Sequence, residues 1–396
     1  MKQIGYYRGG IDVAIGGVAP YADRLLRALD QHHFTGMQVT VIGRKEACQD
    51  VGFPKHLVKS NGLIRKLMFH ASDSLYHLTH PKAGLKIGPY RRWLSRIHCD
   101  MRYDLLHFPF QVPPRATFRC PFIVTMHDVQ ELRFPEFFSP QERMQRAELY
   151  WGAISQASRV VVSFDHVKED LLKYFRLPDA RVVVIPVPYS QCIFADSTNT
   201  ESAELSTKYR DLGRYFLYPA QTWRHKNHLG LIDAFERVCL RSAEPLRLVC
   251  TGVKNEFYQE IEERIDRSAV RDFIHFLGVV PQVDLKWLYR NSLSVVVPSL
   301  YEAGSFPLIE AMQLEVPVLC ASTTSLPATI GDNRFVFDPR DSEQMASLMS
   351  KMASDQEYRQ QGIYNSKMRM ETLRQIKVGP LVEELWRTTL ERPETS

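Results

Sequence analysis

The chain has 396 residues, of which 44% are hydrophobic and 24% are charged. This length gives room for two domains with separate cores, and the composition excludes a disordered or fibrous protein. The excess of 50 Lys and Arg over 45 Asp and Glu is too small to indicate a nucleic-acid partner by itself.

The seven cysteines are scattered and include no Cys-x-x-Cys pair, which is typical of small buried side chains in a reducing compartment. The N-terminal residues lack the continuous apolar stretch of a signal peptide, and no window approaches the ~20 apolar residues of a membrane span. We therefore expect a cytoplasmic protein, at most peripheral on the inner face of the cell membrane.

Short apolar, β-branched runs alternate along the chain with longer amphipathic segments, which predicts parallel strands covered by helices on both faces. The predicted strands of the first half are Met37–Ile42, Leu105–Phe108, Phe122–Met126, Arg159–Ser163 and Arg181–Pro186. Those of the second half are Tyr215–Pro219, Leu246–Thr251, Phe273–Leu277, Ser292–Val297, Val316–Cys320 and Phe335–Phe337. Helical spacing is found in Ala19–Leu29, His228–Leu240, Asn255–Ala269 and Ser342–Ala353. The pattern indicates two doubly wound, Rossmann-like α/β domains.

A polar stretch rich in Ser and Thr, Asp196–Lys208, separates the two halves and is typical of a linker or exposed loop. We therefore predict an N-terminal domain over residues 1–190, a linker over 191–208 and a second domain over 209–375. Residues 376–396 follow a complete second domain and have a helical pattern, so we expect this helix to pack back on the first domain.

Ligands of open α/β sheets bind at the carboxyl ends of the strands, so the residues after each run are the candidates for a site. They are rich in Gly, His, Arg, Lys and hydroxyl groups, which suits an anionic ligand held between two domains. They include Arg8–Gly10, His127, Asp128, Ser163, Gln221–Lys226, Thr251, Gly252, Gly278 and Pro298–Glu302.

The most informative segment is Val295–Cys320. A strand ends at Pro298, a loop follows, and Pro307 is expected to open a helix whose free amides and dipole favour phosphate. Glu302 and Glu310 lie eight positions apart and could accept hydrogen bonds from two sets of hydroxyls, as on a sugar and a ribose. The same pattern is also compatible with an ordinary helix start and two solvated glutamates.

Together these residues resemble the family-4 glycosyltransferases, retaining enzymes of the GT-B type with two Rossmann-like domains facing across a cleft. Glu302 and Glu310 form the Glu-x7-Glu motif of that family within PSLYEAGSFPLIEAM. Shorter similar segments occur in order: GGVAPYADRLLRAL from Gly16, VTMHD from Val124, HKN from His225, TG at Thr251 and FLG ending at Gly278. The order and spacing of these segments make the likeness specific.

The resemblance implies a role for each matching residue. Glu302 would face the donor sugar, and Glu310 would bind the ribose of the nucleotide. The amides of Gly304, Ser305 and Phe306 would face the sugar or the phosphates. Lys226 would neutralise the diphosphate, and Arg224 could act beside it, because both cations complement phosphate.

In the first domain, Gly16 and Gly17 would let the backbone approach the pyrophosphate, although a Gly-Gly pair is also common in simple turns. His127 would touch the donor sugar, whereas a histidine after a strand is often structural. Ser163 would bond a phosphate or a backbone group. Thr251, Gly252 and Gly278 complete the expected donor-binding set.

The chain departs from the family pattern at several positions. The glycine-rich EGFGLP loop is EAGSFP, the Gly-Arg pair before the lysine is Ala220-Gln221, and Leu-Pro-Glu is Leu326-Pro327-Ala328. The glycine after the EAM helix is replaced by Glu315. Loop conformation, sugar selectivity and the number of cations on the phosphate are the properties that these changes affect.

No Asp-x-Asp motif and no His, Cys or Asp cluster has the spacing of metal ligands. We therefore expect no metal and no cofactor, with Lys226, Arg224 and the helix terminus at Pro307 stabilising the leaving diphosphate. The partners expected are a GDP- or UDP-linked sugar and a glycan or lipid-linked acceptor. No residue identifies the sugar, although the resemblance favours a mannose-type donor.

The segment Lys55–His98 carries nine Lys and Arg residues and one acid, Asp73, with interleaved aromatic and aliphatic side chains. This pattern suits contact with an anionic membrane surface, and the alternative is a solvated basic face. Nucleic acid is a weaker interpretation, since no nucleic-acid-binding motif accompanies the charge.

Three functions stay open at this stage. The first is a retaining, metal-independent hexosyltransferase of surface polysaccharide synthesis. The second is a phosphorylase or epimerase on the same architecture. The third is a catalytically silent scaffold in a glycan-assembly complex.

Overall fold

A computed structural model of the chain describes residues 1–8, 17–43, 51–57, 102–113, 118–189, 194 and 199–391. Within these residues the chain forms two compact units. Unit 1 comprises Met1–Pro188 together with Lys377–Ser396, and unit 2 comprises Tyr189–Ile376. Most of the basic segment predicted to contact membranes, and Gly16, lie outside the described residues.

Unit 1 contains a seven-stranded sheet in which every pairing is parallel, in the order β3-β2-β1-β4-β5-β6-β7. Its strands are β1 Lys2–Tyr7, β2 Met37–Gly43, β3 Lys55–Leu57, β4 Leu105–Phe108, β5 Phe122–Thr125, β6 Arg159–Val162 and β7 Val182–Val184. Its helices are α1 Val18–Asp30, α2 Gln130–Arg133, α3 Pro140–Ile154, α4 Asp165–Phe175 and α13 Val378–Leu390. The strand order reverses direction between β1 and β4, which is the hallmark of a doubly wound sheet.

Unit 2 contains a six-stranded parallel sheet in the order β10-β9-β8-β11-β12-β13. Its strands are β8 Tyr215–Pro219, β9 Arg247–Thr251, β10 Ile274–Phe276, β11 Ser294–Val297, β12 Val318–Ala321 and β13 Val336–Phe337. Its helices are α5 Asn199–Lys208, α6 His228–Arg241, α7 Tyr258–Asp266, α8 Gln282–Asn291, α9 Phe306–Gln313, α10 Leu326–Ile330, α11 Ser342–Ser354 and α12 Gln356–Arg374. The order reverses between β8 and β11, so these two strands define the ligand crevice of this unit.

Each predicted strand run overlaps an observed strand, because apolar runs buried on both faces leave a strong local signal. Strands β1 and β3 were not among the predicted runs. Gly5 interrupts the apolar pattern of β1, and the packing explains it, since a Cβ there would lie 2.7 Å from the Leu106 side chain. Periodicity therefore missed a central strand whose close packing requires a glycine.

The predicted linker over residues 191–208 is wrong at its second half, because Asn199–Lys208 is the helix α5. The helix is polar, so its hydrophobic pattern is weak. Its end is held by tertiary contacts instead: Lys208 Nζ and Tyr209 Oη donate to Asp284 Oδ2 at 2.6 Å each. Those contacts join α5 to α8 and cannot be read from the local sequence.

The C-terminal helix α13 packs within unit 1 through a buried contact between Trp386 and His107. The indole Nε1 lies 3.2 Å from His107 Nδ1, and because an indole nitrogen can only donate, Nδ1 must be unprotonated. His32 Nε2 adds a second contact by donating to Glu383 Oε2 of α13 at 2.5 Å. Burial lowers the pKa of His107 from 6.5 to about 3, so the imidazole of His107 is neutral in the folded chain at neutral pH.

Acidification is expected to weaken this contact. The unfolded chain binds a proton at His107 below about pH 6.5, whereas the folded chain excludes it down to about pH 3, so stability falls as the pH is lowered through that window. The contribution lost by pH 5 is about 2 kcal/mol. His107→Asn keeps an acceptor but cannot titrate. Urea unfolding at pH 7 and pH 5 should therefore show a smaller pH effect in this variant; equal pH effects would contradict the assignment.

Candidate functional site

The crevice of unit 2 brings together Lys226 and Glu302, which are far apart in sequence. Lys226 ends a single turn of 3-10 helix, Arg224–Lys226, after β8, and Glu302 lies in the loop after β11. Lys226 Nζ lies 2.6 Å from Glu302 Oε1, and both side chains are largely buried, with 17% and 7% of their surface exposed. Adjacency of β8 and β11 creates this pair, because their carboxyl ends meet at the reversal of strand order.

Two hydroxyl side chains complete the surroundings of the pair. Ser299 Oγ donates to the same Glu302 Oε1 over 2.7 Å, and Tyr218 Oη donates to the Lys226 carbonyl over 2.9 Å. The Tyr218 and Ser299 oxygens are 3.1 Å apart. Burial, and then the charge of Glu302, raise the pKa of Tyr218 well above its usual value, so the phenol stays neutral. The site therefore combines one cation and one carboxylate with two hydroxyl groups that are hydrogen-bonded to them or to each other.

The loop that carries Glu302 is fixed by the turn after β12. Thr324 Oγ1 donates to the Glu302 carbonyl at 2.6 Å and accepts from the Glu302 amide at 3.1 Å. Thr323 Oγ1 donates to the Ser299 carbonyl at 2.9 Å. Thr324 adopts the left-handed region, with φ of 49°, which is rare for a β-branched residue. Such a backbone persists where the surrounding contacts hold it in place.

Asn227 ties the lysine turn to the glutamate loop. Its Nδ2 donates to the Pro298 carbonyl at 3.0 Å and to the Pro339 carbonyl at 2.8 Å, and its own φ is 58°. The Leu300 amide donates to the His225 carbonyl at 2.7 Å. Asn227, the residue that follows Lys226, therefore fixes the position of the lysine turn. Asparagine suits this role because it tolerates the left-handed region.

Helix α9 starts at Phe306, one residue earlier than the predicted opening at Pro307. Ser305 is the N-cap, and its hydroxyl accepts from the Leu308 amide at 3.5 Å. Pro307 occupies the second helical position, where its missing N–H is tolerated equally well. The backbone of Gly304, Ser305 and Phe306 therefore leads directly into the positive end of the helix dipole.

Glu310 lies in the second turn of α9 and accepts a hydrogen bond from a tyrosine. Tyr289 Oη of α8 donates to Glu310 Oε2 at 2.7 Å. Burial, and then the charge of Glu310, raise the pKa of Tyr289 well above its usual value. The two glutamates of the motif thus have different environments, which fits different hydrogen-bonding tasks.

Arg224 faces another direction from Lys226. Its guanidinium pairs with Glu260 of α7 and lies over the Phe257 ring at 4.5 Å, with half of the side chain exposed. The structure therefore does not bring Arg224 to the Glu302 carboxylate.

The residue that follows β9, Gly252, is tightly packed against the end of β8 and is hydrogen-bonded to the residue that follows β10. Gly252 has φ of +122°, and a Cβ on it would lie 2.7 Å from the Ala220 carbonyl oxygen. Its amide donates to the Gly278 carbonyl at 2.8 Å, and Gly278 itself has φ of +68°. Thr251 is buried beside them. These three residues shape the backbone next to the crevice. Ala220 is also there, at the position of the glycine in the Gly-Arg pair of the family pattern.

In unit 1, His127 follows β5 and is anchored by its ring. Its Nε2 lies 3.3 Å from the Pro109 carbonyl, which can only accept, so Nε2 carries the proton and Nδ1 is an acceptor. Burial lowers its pKa from 6.5 to about 4. The edge of Tyr21 packs against the imidazole, with ring centroids 4.7 Å apart. His127 is thus neutral at physiological pH.

Gly17 and Ser163 occupy the same edge of the unit 1 sheet. Gly17 is the N-cap of α1 with an ordinary φ of −77°, so its conformation does not require glycine. Ser163 follows β6, and its Oγ is buried. The Tyr21 hydroxyl lies beside the hydroxyls of Ser163 and Thr125, whose hydrogen bonding lowers its pKa, but burial outweighs them and raises the pKa of Tyr21 to about 12.

Three residues of the site escaped the sequence analysis, Tyr218, Thr324 and Tyr289, and Ser299 was a candidate without a role of its own. Ser299 and Asn227 stand inside the quoted motifs, so their position next to Glu302 and Lys226 was a usable signal. Tyr218 and Tyr289 resemble ordinary core aromatics, and only the contacts of their hydroxyl groups show that they belong to the site.

Among the described residues, no group of three or more His, Cys, Asp or Glu could hold a metal ion. In the same part of the chain, no helix is long and apolar enough to cross a membrane.

Two family models match the chain, one on each side of the division between the units. Residues 15–189 match the model described as Glycosyltransferase Family 4, and residues 206–369 match that described as Glycosyl transferases group 1. Together they cover most of the chain.

Among curated proteins, the O-antigen chain mannosyltransferase B of Escherichia coli is 26% identical over 287 residues, which is 72% of each chain. The O-antigen chain mannosyltransferase RfbU of Salmonella typhimurium is 20% identical and covers 58% of this chain and 60% of that protein. Both relatives align over more than half of the sequence.

Solved structures share the fold over almost the whole chain. Anabaena HepE, solved with UDP and glucose, has a TM-score of 0.65 at 14% identity, covering 98% of this chain and 100% of that one. WaaG, a glycosyltransferase involved in lipopolysaccharide biosynthesis, has a TM-score of 0.63 at 15% identity, covering 96% and 99%. The two parallel-sheet units are those of the GT-B glycosyltransferases.

Proposed function

Because the chain is a glycosyltransferase with the GT-B fold, we propose that it is a retaining enzyme that transfers a hexose from a nucleoside diphosphate sugar. The acceptor would be a glycan or a lipid-linked glycan in surface polysaccharide synthesis. The relatives named as O-antigen chain mannosyltransferases favour mannose on GDP, and a UDP-linked hexose is the alternative donor. The donor's diphosphate would bind in the crevice of unit 2.

The observation that carries this proposal is the buried pair of Lys226 and Glu302 at the reversal of strand order. A lysine held almost out of water interacts strongly with a diphosphate, because the local dielectric is low. The amides that open α9 add donors and the positive dipole end beside the same loop. Glu302 is proposed to orient the sugar and Glu310 to bind the ribose.

In the proposed reaction, the bond from the anomeric carbon to the β-phosphate oxygen breaks while a bond from the same carbon to the acceptor oxygen forms on the same face. The proton of the acceptor hydroxyl passes to the leaving phosphate oxygen. No protein group needs to act as the base. The chain contributes by stabilising the charge that develops on the leaving diphosphate, which is electrostatic preorganisation.

We propose that Lys226 and the amides of Gly304, Ser305 and Phe306 supply this stabilisation in place of a metal ion. Arg224 would join them only by leaving Glu260, and an exposed ion pair of this kind is worth little, on the order of 0–1 kcal/mol. Turnover is therefore expected to persist in EDTA. A loss that Mg²⁺ or Mn²⁺ restores would contradict this part of the proposal.

For localisation, we propose the cytoplasmic side of the cell membrane, with the segment 55–98 contacting anionic lipid. The support is its charge, nine Lys and Arg residues against one acid, interleaved with aromatic side chains. Sedimentation with phosphatidylglycerol vesicles that weakens with salt would support the contact, and binding that ignores salt would contradict it.

The decisive experiment is a thermal-shift screen of GDP-mannose, UDP-glucose, GDP and UDP, followed by a turnover assay. The right donor at 100 times its Kd stabilises the folded chain by about 2.7 kcal/mol. Glu310→Gln is expected to weaken the binding of that donor and of its nucleotide about tenfold, since a hydrogen bond to a charged group is lost. Glu371→Gln, an exposed position on α12, is the matched control.

If no nucleotide sugar stabilises the chain, the transferase assignment of this crevice fails. If the donor binds but neither transfer nor hydrolysis follows with any acceptor, the scaffold alternative is favoured. An equal loss in Glu310→Gln and in the control would remove the ribose role from Glu310.

A further inference from the structure

The hydroxyl of Thr324, in the turn after β12, bonds both backbone groups of Glu302. Its Oγ1 donates to the Glu302 carbonyl at 2.6 Å and accepts from the Glu302 amide at 3.1 Å. The neighbouring side chains make one contact each: Ser325 Oγ donates to the Glu302 carbonyl at 3.4 Å, and Thr323 Oγ1 donates to the Ser299 carbonyl at 2.9 Å. Within the described part of the chain, Thr324 is therefore the side chain that fixes Glu302 through both its amide and its carbonyl.

Thr324 makes these bonds from an unfavourable backbone conformation. Of the four non-glycine residues with positive φ in the described chain, it is the only β-branched one, with φ of 49°. Arg176 and Glu315 follow the ends of α4 and α9, where the left-handed conformation is common. Asn227 is an asparagine, which tolerates this conformation. Neither reason applies to Thr324, which precedes α10 and carries a branched Cβ.

The conformation of Thr324 is therefore kept at a cost in free energy that another residue would avoid. A glycine would adopt the left-handed region without steric strain, but it has no hydroxyl group. Both close bonds of the Thr324 hydroxyl go to Glu302, one member of the buried ion pair with Lys226. Strained backbone of this kind is found at functional sites, where the surrounding contacts maintain it.

The position of the Glu302 backbone decides where its carboxylate can reach. Oε1 accepts from Lys226 Nζ at 2.6 Å and from Ser299 Oγ at 2.7 Å, whereas Oε2 accepts no hydrogen bond from any described residue. Oε2 is therefore the oxygen that remains for a sugar hydroxyl. A misplacement on the order of 1 Å can cost about 10²-fold in rate, so the bonds that hold the backbone of Glu302 bear on turnover.

We propose that Thr324 is a positioning residue for the sugar-binding carboxylate. Its hydroxyl holds the backbone of Glu302 so that Oε1 stays on Lys226 and Oε2 faces the donor sugar. This inference rests on the proposed function and adds to it the residue that places Glu302. Thr324 itself contacts no reacting atom.

The test is a double-mutant cycle of Thr324→Val and Glu302→Gln in the full-length chain. Valine keeps the branched shape of threonine and its backbone strain but removes the hydroxyl. With the donor found in the thermal-shift screen, Thr324→Val is expected to lower kcat about tenfold in the wild type but only about twofold in Glu302→Gln, where the carboxylate that it places is absent. Thr324→Ser keeps the hydroxyl and should restore the rate. Thr372→Val, which removes an exposed hydroxyl of α12, is the control and should behave as the wild type.

Equal losses of kcat from Thr324→Val in the two backgrounds would overturn the proposal, because they would indicate a general weakening of the loop. A low rate in Thr324→Ser would overturn it as well. Thr324→Gly separates strain from positioning. It relieves the backbone, so its Tm should exceed that of Thr324→Val while its kcat stays low, and a kcat that rises with Tm would contradict the positioning role.

Urea unfolding of the four chains of the cycle separates this proposal from the proposed function. If Thr324 holds the ion pair in place, Thr324→Val should lower the urea midpoint less in Glu302→Gln than in the wild type. A chain that turns over no donor but shows this coupling supports the role of Thr324 and refutes the proposed function. A chain that turns over donor while the two substitutions act additively on rate and on stability refutes only the role of Thr324.

Discussion

Replacing Lys226 by methionine is expected to lower kcat for sugar transfer by about 10²–10³-fold. Methionine keeps the length of the side chain but removes the only cation that the described residues place against Glu302. The leaving diphosphate then gains charge without its nearest fixed counter-charge, and water cannot replace it in a largely buried crevice. Steady-state kinetics with the donor found in the thermal-shift screen measure the effect.

The same substitution is expected to destabilise unit 2, and this must be separated from catalysis. Removing one partner of a buried ion pair leaves an uncompensated charge and costs about 3–5 kcal/mol. That cost corresponds to a decrease in Tm on the order of 10 °C. The double variant Lys226→Met/Glu302→Gln removes both charges, so its Tm should return toward that of the wild type while its activity stays low.

Lys367→Met, at an exposed position of α12, is the control for loss of a lysine. Full activity in Lys226→Met, or recovery of activity together with Tm in the double variant, would remove Lys226 from the diphosphate site. Recovery of Tm in the double variant without recovery of activity supports the assignment of Lys226 to the diphosphate site.

The substitution Glu302→Gln alone is expected to have opposite effects on nucleotide binding and on turnover. Lys226 Nζ donates to Glu302 Oε1 at 2.6 Å, so the carboxylate competes with a diphosphate for the lysine. The negative charge of Glu302 also repels the diphosphate. The amide keeps the shape and the bond from Ser299 but carries no charge. Affinity for GDP or UDP should therefore rise about tenfold, which is about 1.4 kcal/mol.

Turnover in Glu302→Gln should fall about 10–100-fold, because a hydrogen bond from a sugar hydroxyl to a charged acceptor is worth about 1.5–3 kcal/mol. Calorimetry measures the first effect and initial rates the second. A variant that loses affinity for both GDP and UDP would show that Glu302 does not compete for the lysine. Unchanged turnover would contradict its role toward the sugar.

Much of the crevice edge of unit 2 could be predicted from local sequence. The runs that became β8, β9 and β11 are apolar and β-branched, and such strands are buried on both faces, so their ends were visible as changes in composition. Pro307 marked the start of α9 to within one residue. These features are local, because caps and buried runs act over a few residues.

Other features of the site depended on contacts between distant residues. Arg224 was expected beside Lys226, two positions away, but Glu260 and Phe257 of the neighbouring α7 region draw its side chain elsewhere. Tyr289 was not recognised because its ring resembles a core residue and its hydroxyl bond to Glu310 spans two helices. The bond from Arg146 Nη1 to Glu131 Oε2 likewise joins α3 to α2 across 15 positions.

By itself, the amino-acid sequence determined the alternation of strands and helices, the two-domain plan and the segments that follow the strands at the crevice of unit 2. Local burial and helix capping encode these properties, and both act between residues that are near neighbours in the chain. The tertiary structure alone decided which charges meet. Lys226 and Glu302 are 76 positions apart, and they form a pair because hydrogen bonding places β8 beside β11. The order of strands in a sheet is a property of the whole fold, since it depends on how every helix covers the sheet.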